Sequence, residues 1–155
     1  MSEDKYHAAL DAAAKQLSYR ALSTAMLRDR LLAKGHDEEA ADYALAWLTE
    51  RRLLDDQTYA ESVVRGYTRK GYGAARIRQE LTRRGIDRET AAAALQTFSP
   101  NEAQMLALLE KRLRGDVSDR KEIEKAVAAL QRRGFSWSEI KHALETYGSS
   151  LPDKE

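Results

Sequence analysis

The sequence of 155 residues has no cysteine and only two prolines, and it lacks long apolar runs. Without cysteine the chain has no disulfide bonds, no thiolate metal ligands and no cysteine nucleophile. No stretch approaches the roughly 18 consecutive apolar residues of a membrane span. The acidic start, Ser2 to Lys5, is followed by no apolar segment, so no signal peptide is predicted. We therefore expect a cytoplasmic protein with no membrane partner.

Residues that interrupt helices are also scarce, because only eight glycines accompany the two prolines. Hydrophobic residues make up 43% of the chain and charged residues 33%, and alanine, leucine, arginine, glutamate and lysine dominate. These residue types favour helices, and no segment of useful length shows the two-residue alternation of a strand. The composition predicts an all-α protein.

The helical pattern occurs three times along the chain. In each copy a helix is predicted to end at a glycine, and these glycines are 50 and 49 residues apart. One leucine lies four residues before each glycine and another lies ten residues after it: Leu31, Gly35 and Leu45; Leu81, Gly85 and Leu95; Leu130, Gly134 and Leu144. A period of this size is typical of repeat proteins. We predict three tandem three-helix repeats that form an elongated, curved helical array, with repeats at 1–52, 53–98 and 99–148 and a flexible tail at 149–155.

Residues that stabilise helix N-termini support this division. Two of the predicted caps open a capping box, one with Pro100 at the first helical position and one with Glu139 three residues after the cap. An aspartate pair at the start of the second repeat is interpreted as a helix cap and not as an acidic catalytic site. The predicted caps are Ser23, Asp37, Asp55 or Asp56, Asp87, Ser99 and Ser136.

Positive charge is concentrated in the middle repeat, although the whole chain carries a net charge of only +1. The balance is +6 between residues 65 and 88, whereas the parts before and after carry −4 and −1. Two of the arginines lie four residues from Glu80, the spacing of a helical ion pair. Two interpretations stay open: a solvated helix face, or a surface that contacts a phosphate backbone or an acidic groove. The candidate contact residues are Arg65, Arg69, Lys70, Tyr72, Arg76, Arg78, Arg83 and Arg84.

A glycine-rich turn, Gly71-Tyr72-Gly73, precedes one of the basic helices. The N–H groups at a helix N-terminus attract anions, so a phosphate or an acidic side chain is one interpretation of this turn. The turn follows a helix instead of a strand and lacks the Lys-Ser/Thr ending of a nucleotide-binding loop. A simple turn between two helices is the alternative.

The middle repeat carries the most specific set of motif residues, and the repeat glycines extend it to the other copies. The structural motif consists of Gly35, Leu54, Asp55, Asp56, Tyr59, Gly71, Ile77, Leu81, Gly85 and Gly134. In their order and spacing these residues resemble the RecX family, the bacterial regulatory proteins of the RecA recombinase, over roughly Tyr19 to Leu144. The first repeat departs from the family pattern, because Met26 stands where the family has the glutamate of a capping box.

The resemblance implies a regulator that binds RecA filaments on single-stranded DNA. It also implies inhibition of filament extension, DNA-dependent ATP hydrolysis, strand exchange and co-protease function. We expect a monomer that requires no cofactor. Direct contact with DNA is left open. From the residues alone, a second hypothesis is a stand-alone DNA-binding module, since two helices that meet at a short glycine turn also describe a helix-turn-helix.

The sequence predicts neither catalytic residues nor a metal site. The three histidines, His7, His36 and His142, lie far apart and in no metal-binding pattern. No nucleophile with a neighbouring base is recognisable either. We therefore expect that the protein is not an enzyme.

Overall fold

The computed structural model describes the backbone of residues 2–152 and the side chains of residues 4–152. Within this range the chain forms nine α-helices and no strand, which confirms the all-α prediction. The helices are α1 (Ser2–Tyr19), α2 (Thr24–Ala33), α3 (Glu38–Glu50), α4 (Asp56–Arg69), α5 (Ala74–Arg83), α6 (Arg88–Leu95), α7 (Glu102–Leu113), α8 (Arg120–Arg132) and α9 (Trp137–Ser149). None of these helices combines the length and the apolar character that crossing a bilayer requires.

The helices pack into two compact units. The first contains the chain up to Ser62 together with Leu81–Ala94, and the second contains Val63–Glu80 together with the chain from Leu95 onward. The boundaries between the units therefore fall inside α4, inside α5 and before the last residue of α6. Each unit has its own hydrophobic core.

The core of the first unit forms where α1, α2 and α3 meet. The side chains of Leu27 and Leu31 on α2 are fully buried, as are those of Ala9 and Ala13 on α1. Alanines on α1 and α3 let the helix backbones approach closely, and the leucines fill the remaining space. Burying one leucine stabilises the fold by about 1.5–3 kcal/mol, so this cluster holds the three helices together.

The core of the second unit lies between α7, α8 and α9. Leu109, Leu130 and Ile140, one from each helix, are fully buried. Tyr147 on α9 closes one end of this core: its hydroxyl donates to Glu110 at 2.6 Å and accepts from the backbone N–H of Gly115 at 2.8 Å. Burial and the hydrogen bond to Glu110 raise the pKa of the Tyr147 phenol.

The repeated glycines end three helices with the same hydrogen bond. Leu31, Leu81 and Leu130 are each fully buried. In every copy, the carbonyl of this leucine accepts from the N–H of the residue after the glycine: His36 at 3.1 Å, Ile86 at 3.0 Å and Phe135 at 3.2 Å. This bond defines a Schellman motif, which places the glycine at a positive φ. The common spacing of leucine and glycine is thus a helix-ending signal, and the three-helix repeat is confirmed.

Most of the predicted caps occupy their expected positions. Ser23, Asp37 and Ser136 are the N-caps of α2, α3 and α9, and Ser136 forms a complete capping box with Glu139. Asp55 caps α4, because its carboxylate accepts from the backbone N–H of Thr58 at 3.2 Å. This hydrogen bond holds the pKa of Asp55 below its ordinary value.

The cap predicted at Ser99 is wrong. Helix α7 begins at Glu102, and Asn101 is its N-cap. The side-chain oxygen of Asn101 accepts from Gln104 N at 3.2 Å, while its amide nitrogen donates to the carbonyl of Arg69 at 3.2 Å. This contact with the end of α4 fixes Asn101 as the cap, so Pro100 precedes the helix. Of the predicted tail, residues 153–155 lie outside the described residues, and Leu151 packs against the core of the second unit.

Candidate functional site

The first unit contains a junction between the start of α2 and the turn that follows α5. The hydroxyl of Ser23 donates to the backbone carbonyl of Arg84 and accepts from the N–H of Met26 at 3.1 Å. Ser23 is completely buried, so a polar group links two parts of the unit away from water. Gly85 lies so close to Ala25 that a side chain at position 85 would overlap the Cβ of that alanine.

Motif residues on α4 complete this first junction. The Asp56 carboxylate accepts from the backbone N–H of Thr24 at 2.7 Å and from its hydroxyl at 3.0 Å. The hydroxyl of Tyr59 accepts from the Arg84 guanidinium at 2.8 Å and donates to the sulfur of Met26 at 3.5 Å. Asp56 and Tyr59 therefore join the first repeat to the second, and Arg84 is half-buried and held in place.

The second unit contains an equivalent junction between the start of α5 and the turn after α8. The N–H of Gly73 donates to the carbonyl of Arg133 at 2.7 Å, and the N–H of Ala75 donates to the carbonyl of Gly134 at 3.2 Å. A side chain at Gly134 would overlap the backbone nitrogen of Arg76. Because protein carbonyls already occupy these two N–H groups, neither can bind an anion, and the glycine-rich turn serves here as an inter-helix turn.

The two junctions use the same positions of the repeat. Arg84 and Arg133 both precede the repeat glycine, and the carbonyl of each accepts a hydrogen bond from the neighbouring repeat, from Ser23 in one case and Gly73 in the other. The glycine of the first repeat differs, since among the described residues no atom beyond its chain neighbours lies within 4 Å of a Cβ built on Gly35. The glycines at 85 and 134 thus serve two purposes, helix termination and close approach of the next element.

A cluster of cations and aromatic rings surrounds the second junction. The guanidinium groups of Arg133 and Arg76 lie 5.2 Å and 5.7 Å from the centre of the Tyr72 ring. The Tyr67 ring lies 5.3 Å from the Tyr72 ring and 5.5 Å from the amino group of Lys70. Cations at these distances are attracted to the ring faces. We call Tyr67, Lys70, Tyr72, Arg76 and Arg133 the tyrosine–cation cluster.

The other predicted contact residues differ in exposure and location. Arg65, Arg69 and Arg78 are exposed and belong to the second unit, like the tyrosine–cation cluster. Arg83 is exposed on the first unit, where Arg84 belongs to the first junction. The structure thus gathers Lys70, Tyr72 and Arg76 into one cluster and gives Arg84 a structural contact.

Arg133 is not among the residues that the sequence predicts as contacts. The signal that could have identified it is the repeat itself, since Arg133 takes the same position before its glycine that Arg84 takes in the middle repeat. Both guanidinium groups also lie near a tyrosine ring, Arg84 at 5.9 Å from Tyr59 and Arg133 at 5.2 Å from Tyr72. The arginine before the repeat glycine therefore occurs in both repeats, and in both it lies near a tyrosine ring.

Among the residues described, no group of three or more histidine, aspartate or glutamate side chains could hold a metal ion. The imidazole of His142 lies 3.8 Å from the carboxylate of Glu102 on the surface of the second unit. An exposed ion pair of this kind contributes little to the stability of the fold.

Comparison with known proteins matches every repeat to a distinct family domain. The first, second and third three-helix domains of RecX match residues 9–48, 55–95 and 101–144. A crystal structure of RecX from Lactobacillus salivarius superposes with a TM-score of 0.86 at 25% identity, covering 94% of this chain and 97% of that one.

Curated relatives extend the similarity to most of the chain. The regulatory protein RecX of Vibrio parahaemolyticus is 36% identical over 137 residues, which are 86% of this chain and 88% of the relative. The regulatory protein RecX of Neisseria meningitidis is 33% identical over 129 residues, or 83% of this chain and 84% of the relative. With all three domains present in order, the chain belongs to the RecX family of regulatory proteins.

Proposed function

We propose that this protein is a non-enzymatic regulator that binds RecA nucleoprotein filaments on single-stranded DNA and inhibits the recombinase. The inhibited activities are filament extension, DNA-dependent ATP hydrolysis, strand exchange and co-protease function. The observation that carries the proposal is the ordered match of all three repeats to RecX domains. The protein acts as a cytoplasmic monomer without a cofactor.

Exposed cations support contact with an acidic polymer. Arg65, Arg69, Lys70 and Arg78 are exposed on the second unit, where positive charge attracts a polyanion over several ångströms. Burial at the junction makes Arg84 a poorer contact residue, since its guanidinium donates to Tyr59. We therefore assign the contact with the filament chiefly to the exposed residues.

The test measures ATP hydrolysis by RecA from the same source on single-stranded DNA. The protein, added well below one molecule per RecA, is expected to depress the rate. The double variant Arg65→Glu, Arg69→Glu is expected to inhibit about tenfold less well at equal concentration, because each reversal replaces attraction with repulsion. The matched control, Lys121→Glu with Lys141→Glu, changes the net charge equally at exposed positions of the third repeat and is expected to inhibit normally.

Full ATPase activity at equimolar protein would contradict the proposed function. Tight binding to bare DNA that weakens steeply with salt, without any effect on RecA, would favour the helix-turn-helix hypothesis instead. Equal inhibition by both double variants would keep the regulator but overturn the assignment of its contact residues.

A further inference from the structure

A cleft along α7 in the second unit lies beside the second junction and shares Arg133 with it. It has a volume of about 480 Å³ and is lined by Gln104, Ala107, Leu108, Lys111, Arg112 and Arg133. This volume falls in the roughly 300–1,000 Å³ range of ligand sites. Five of the six lining residues recur along one face of α7, at the three- and four-residue spacing of helical neighbours, so one straight helix forms most of the cleft.

The charge of this cleft is one-sided. Lys111, Arg112 and Arg133 contribute three cations, and none of the acidic side chains that the structure describes lines the cleft. Lys111 and Arg112 are exposed, so their charges are hydrated and available to a partner. An anionic partner is the complement of such a surface.

Arg133 is held in position before any partner binds. Its guanidinium donates to the carbonyl of Lys70 at 3.3 Å and lies 5.2 Å from the centre of the Tyr72 ring. A long side chain that is already ordered loses less conformational entropy on binding than a free one. The remaining donors of the planar guanidinium are suited to a carboxylate or a phosphate.

Two features of the site favour carboxylates on a peptide over a nucleic-acid strand. Ala107 and Leu108 add apolar surface between the cations, and an apolar side chain of a peptide can cover it. Binding to single strands depends on bases that stack on open aromatic rings. The rings near this cleft, Tyr67 and Tyr72, already lie against each other and against cations.

We propose that the α7 cleft binds a short acidic peptide segment of a partner protein. Carboxylates of the segment pair with Lys111, Arg112 and Arg133, while one apolar side chain covers Ala107 and Leu108. Because the test below contains neither RecA nor a filament, its failure is distinguishable from failure of the proposed function.

The probe is a fluorescein-labelled ten-residue peptide of glutamate and aspartate with one central leucine, titrated with the full-length protein and followed by anisotropy. The double variant Lys111→Glu, Arg112→Glu is expected to weaken binding at least tenfold. The control Lys121→Glu, Lys141→Glu has the same net charge and exposed substitutions outside the cleft, and it is expected to lower affinity less than twofold.

A second variant tests the apolar surface of the cleft without removing a cation. Ala107 is exposed, so Ala107→Glu keeps a good helix former and places a carboxylate beside the peptide. It is expected to weaken binding at least fivefold while far-UV circular dichroism stays unchanged. Replacing the central leucine of the probe by serine is expected to weaken binding about threefold.

Three results would overturn the proposal. The first is equal loss of affinity in the cleft variant and the charge-matched control, which would show attraction by net charge alone. The second is an Ala107→Glu variant that folds normally and binds the probe like the parent protein. The third is a ten-nucleotide oligothymidylate that displaces the peptide and binds more tightly, with the same sensitivity to Lys111→Glu, Arg112→Glu, which would assign the cleft to nucleic acid.

Discussion

Replacing Gly85 by alanine tests the close approach at the first junction. Gly35 provides a matched control, because both glycines end a helix at positive φ, +80° and +98°, and both belong to the first unit. An alanine in this left-handed region costs about 1–2 kcal/mol at either position. Only at position 85 does the new Cβ also meet another atom, the Cβ of Ala25.

The collision sets the difference between the two variants. Forcing an extra carbon into a packed site typically costs about 1–3 kcal/mol, so Gly85→Ala is expected to lower the free energy of unfolding by about 2–5 kcal/mol. Gly35→Ala has open space around the new carbon and is expected to cost about 1–2 kcal/mol. Both glycines thus have a positive φ, but only Gly85 has a side chain packed against the place where a Cβ would stand.

A double-mutant cycle isolates the contact itself. Ala25→Gly removes the carbon that collides, at a cost of about 0.5–1 kcal/mol for a glycine in a helix. The next atoms near a Cβ at position 85 are 3.7 Å and 3.9 Å away, which is ordinary contact distance. The double variant Gly85→Ala, Ala25→Gly is therefore expected to be about as stable as Gly85→Ala alone or more stable, with a coupling free energy of about 1–3 kcal/mol.

Urea unfolding at neutral pH provides the measurement, with far-UV circular dichroism for helicity. Fluorescence of Trp47 reports on the first unit when all variants also carry Trp137→Phe, because Trp137 is an exposed residue of the second unit. Trp47 packs against the core of that unit, and the guanidinium of Arg51 lies 3.7 Å from its ring centre. Additive effects of the two substitutions would refute the steric account of Gly85. Equal losses in Gly35→Ala and Gly85→Ala would refute it independently.

Two further predictions concern polar contacts. Hydrogen bonds from the Lys5 ammonium and from the backbone N–H of Ala40 hold the pKa of Asp37 below its ordinary value of 3.8. The ionised carboxylate therefore stabilises the folded state above that pH. This contribution is lost as the pH falls through the lowered pKa of the folded state. Asp37→Asn keeps a cap and is expected to make the loss of stability shallower as the pH falls below the ordinary Asp37 pKa of 3.8, as measured in urea titrations; an unchanged acid profile would contradict this. Tyr147→Phe removes the acceptor of Gly115 N and the donor to Glu110, so it is expected to lower the free energy of unfolding by about 1–2 kcal/mol, and an unchanged urea midpoint would contradict that role.

The sequence was most informative where a local rule determines structure. Leucine and glycine at a fixed spacing specify a Schellman ending through contacts within six residues, and all three endings were predicted. The cap at Ser99 was predicted wrongly because the true cap depends on a distant contact. Asn101 donates to the carbonyl of Arg69, 32 residues away, and no local pattern contains that information.

The candidate site was less predictable for the same physical reason. Charge density identified the exposed arginines, but it could not distinguish them from Arg84, whose guanidinium reaches Tyr59 across 25 residues. Arg133 was missed because its contacts with Tyr72 and Lys70 arise only when the third repeat packs against the end of α4. The sequence shows directly which residues are basic, but the partner of each basic side chain depends on contacts between residues that are distant in the chain.

The repeat resolves part of this difficulty, because equivalent positions make equivalent backbone hydrogen bonds. The carbonyl before the glycine accepts from the preceding repeat at both junctions, yet the donor is a serine hydroxyl in one and a glycine N–H in the other. The geometry is therefore retained while the chemistry of the donor changes. Such a position can be located from the period alone, whereas the full surroundings of its side chain cannot. The Arg84 guanidinium donates to Tyr59 in one repeat, while the Arg133 guanidinium lies near Tyr72 and also lines an open cleft in the other. Functional differences between repeats should thus be sought at positions such as this one, where the backbone carbonyl accepts a hydrogen bond in both repeats but the side chain has different neighbours.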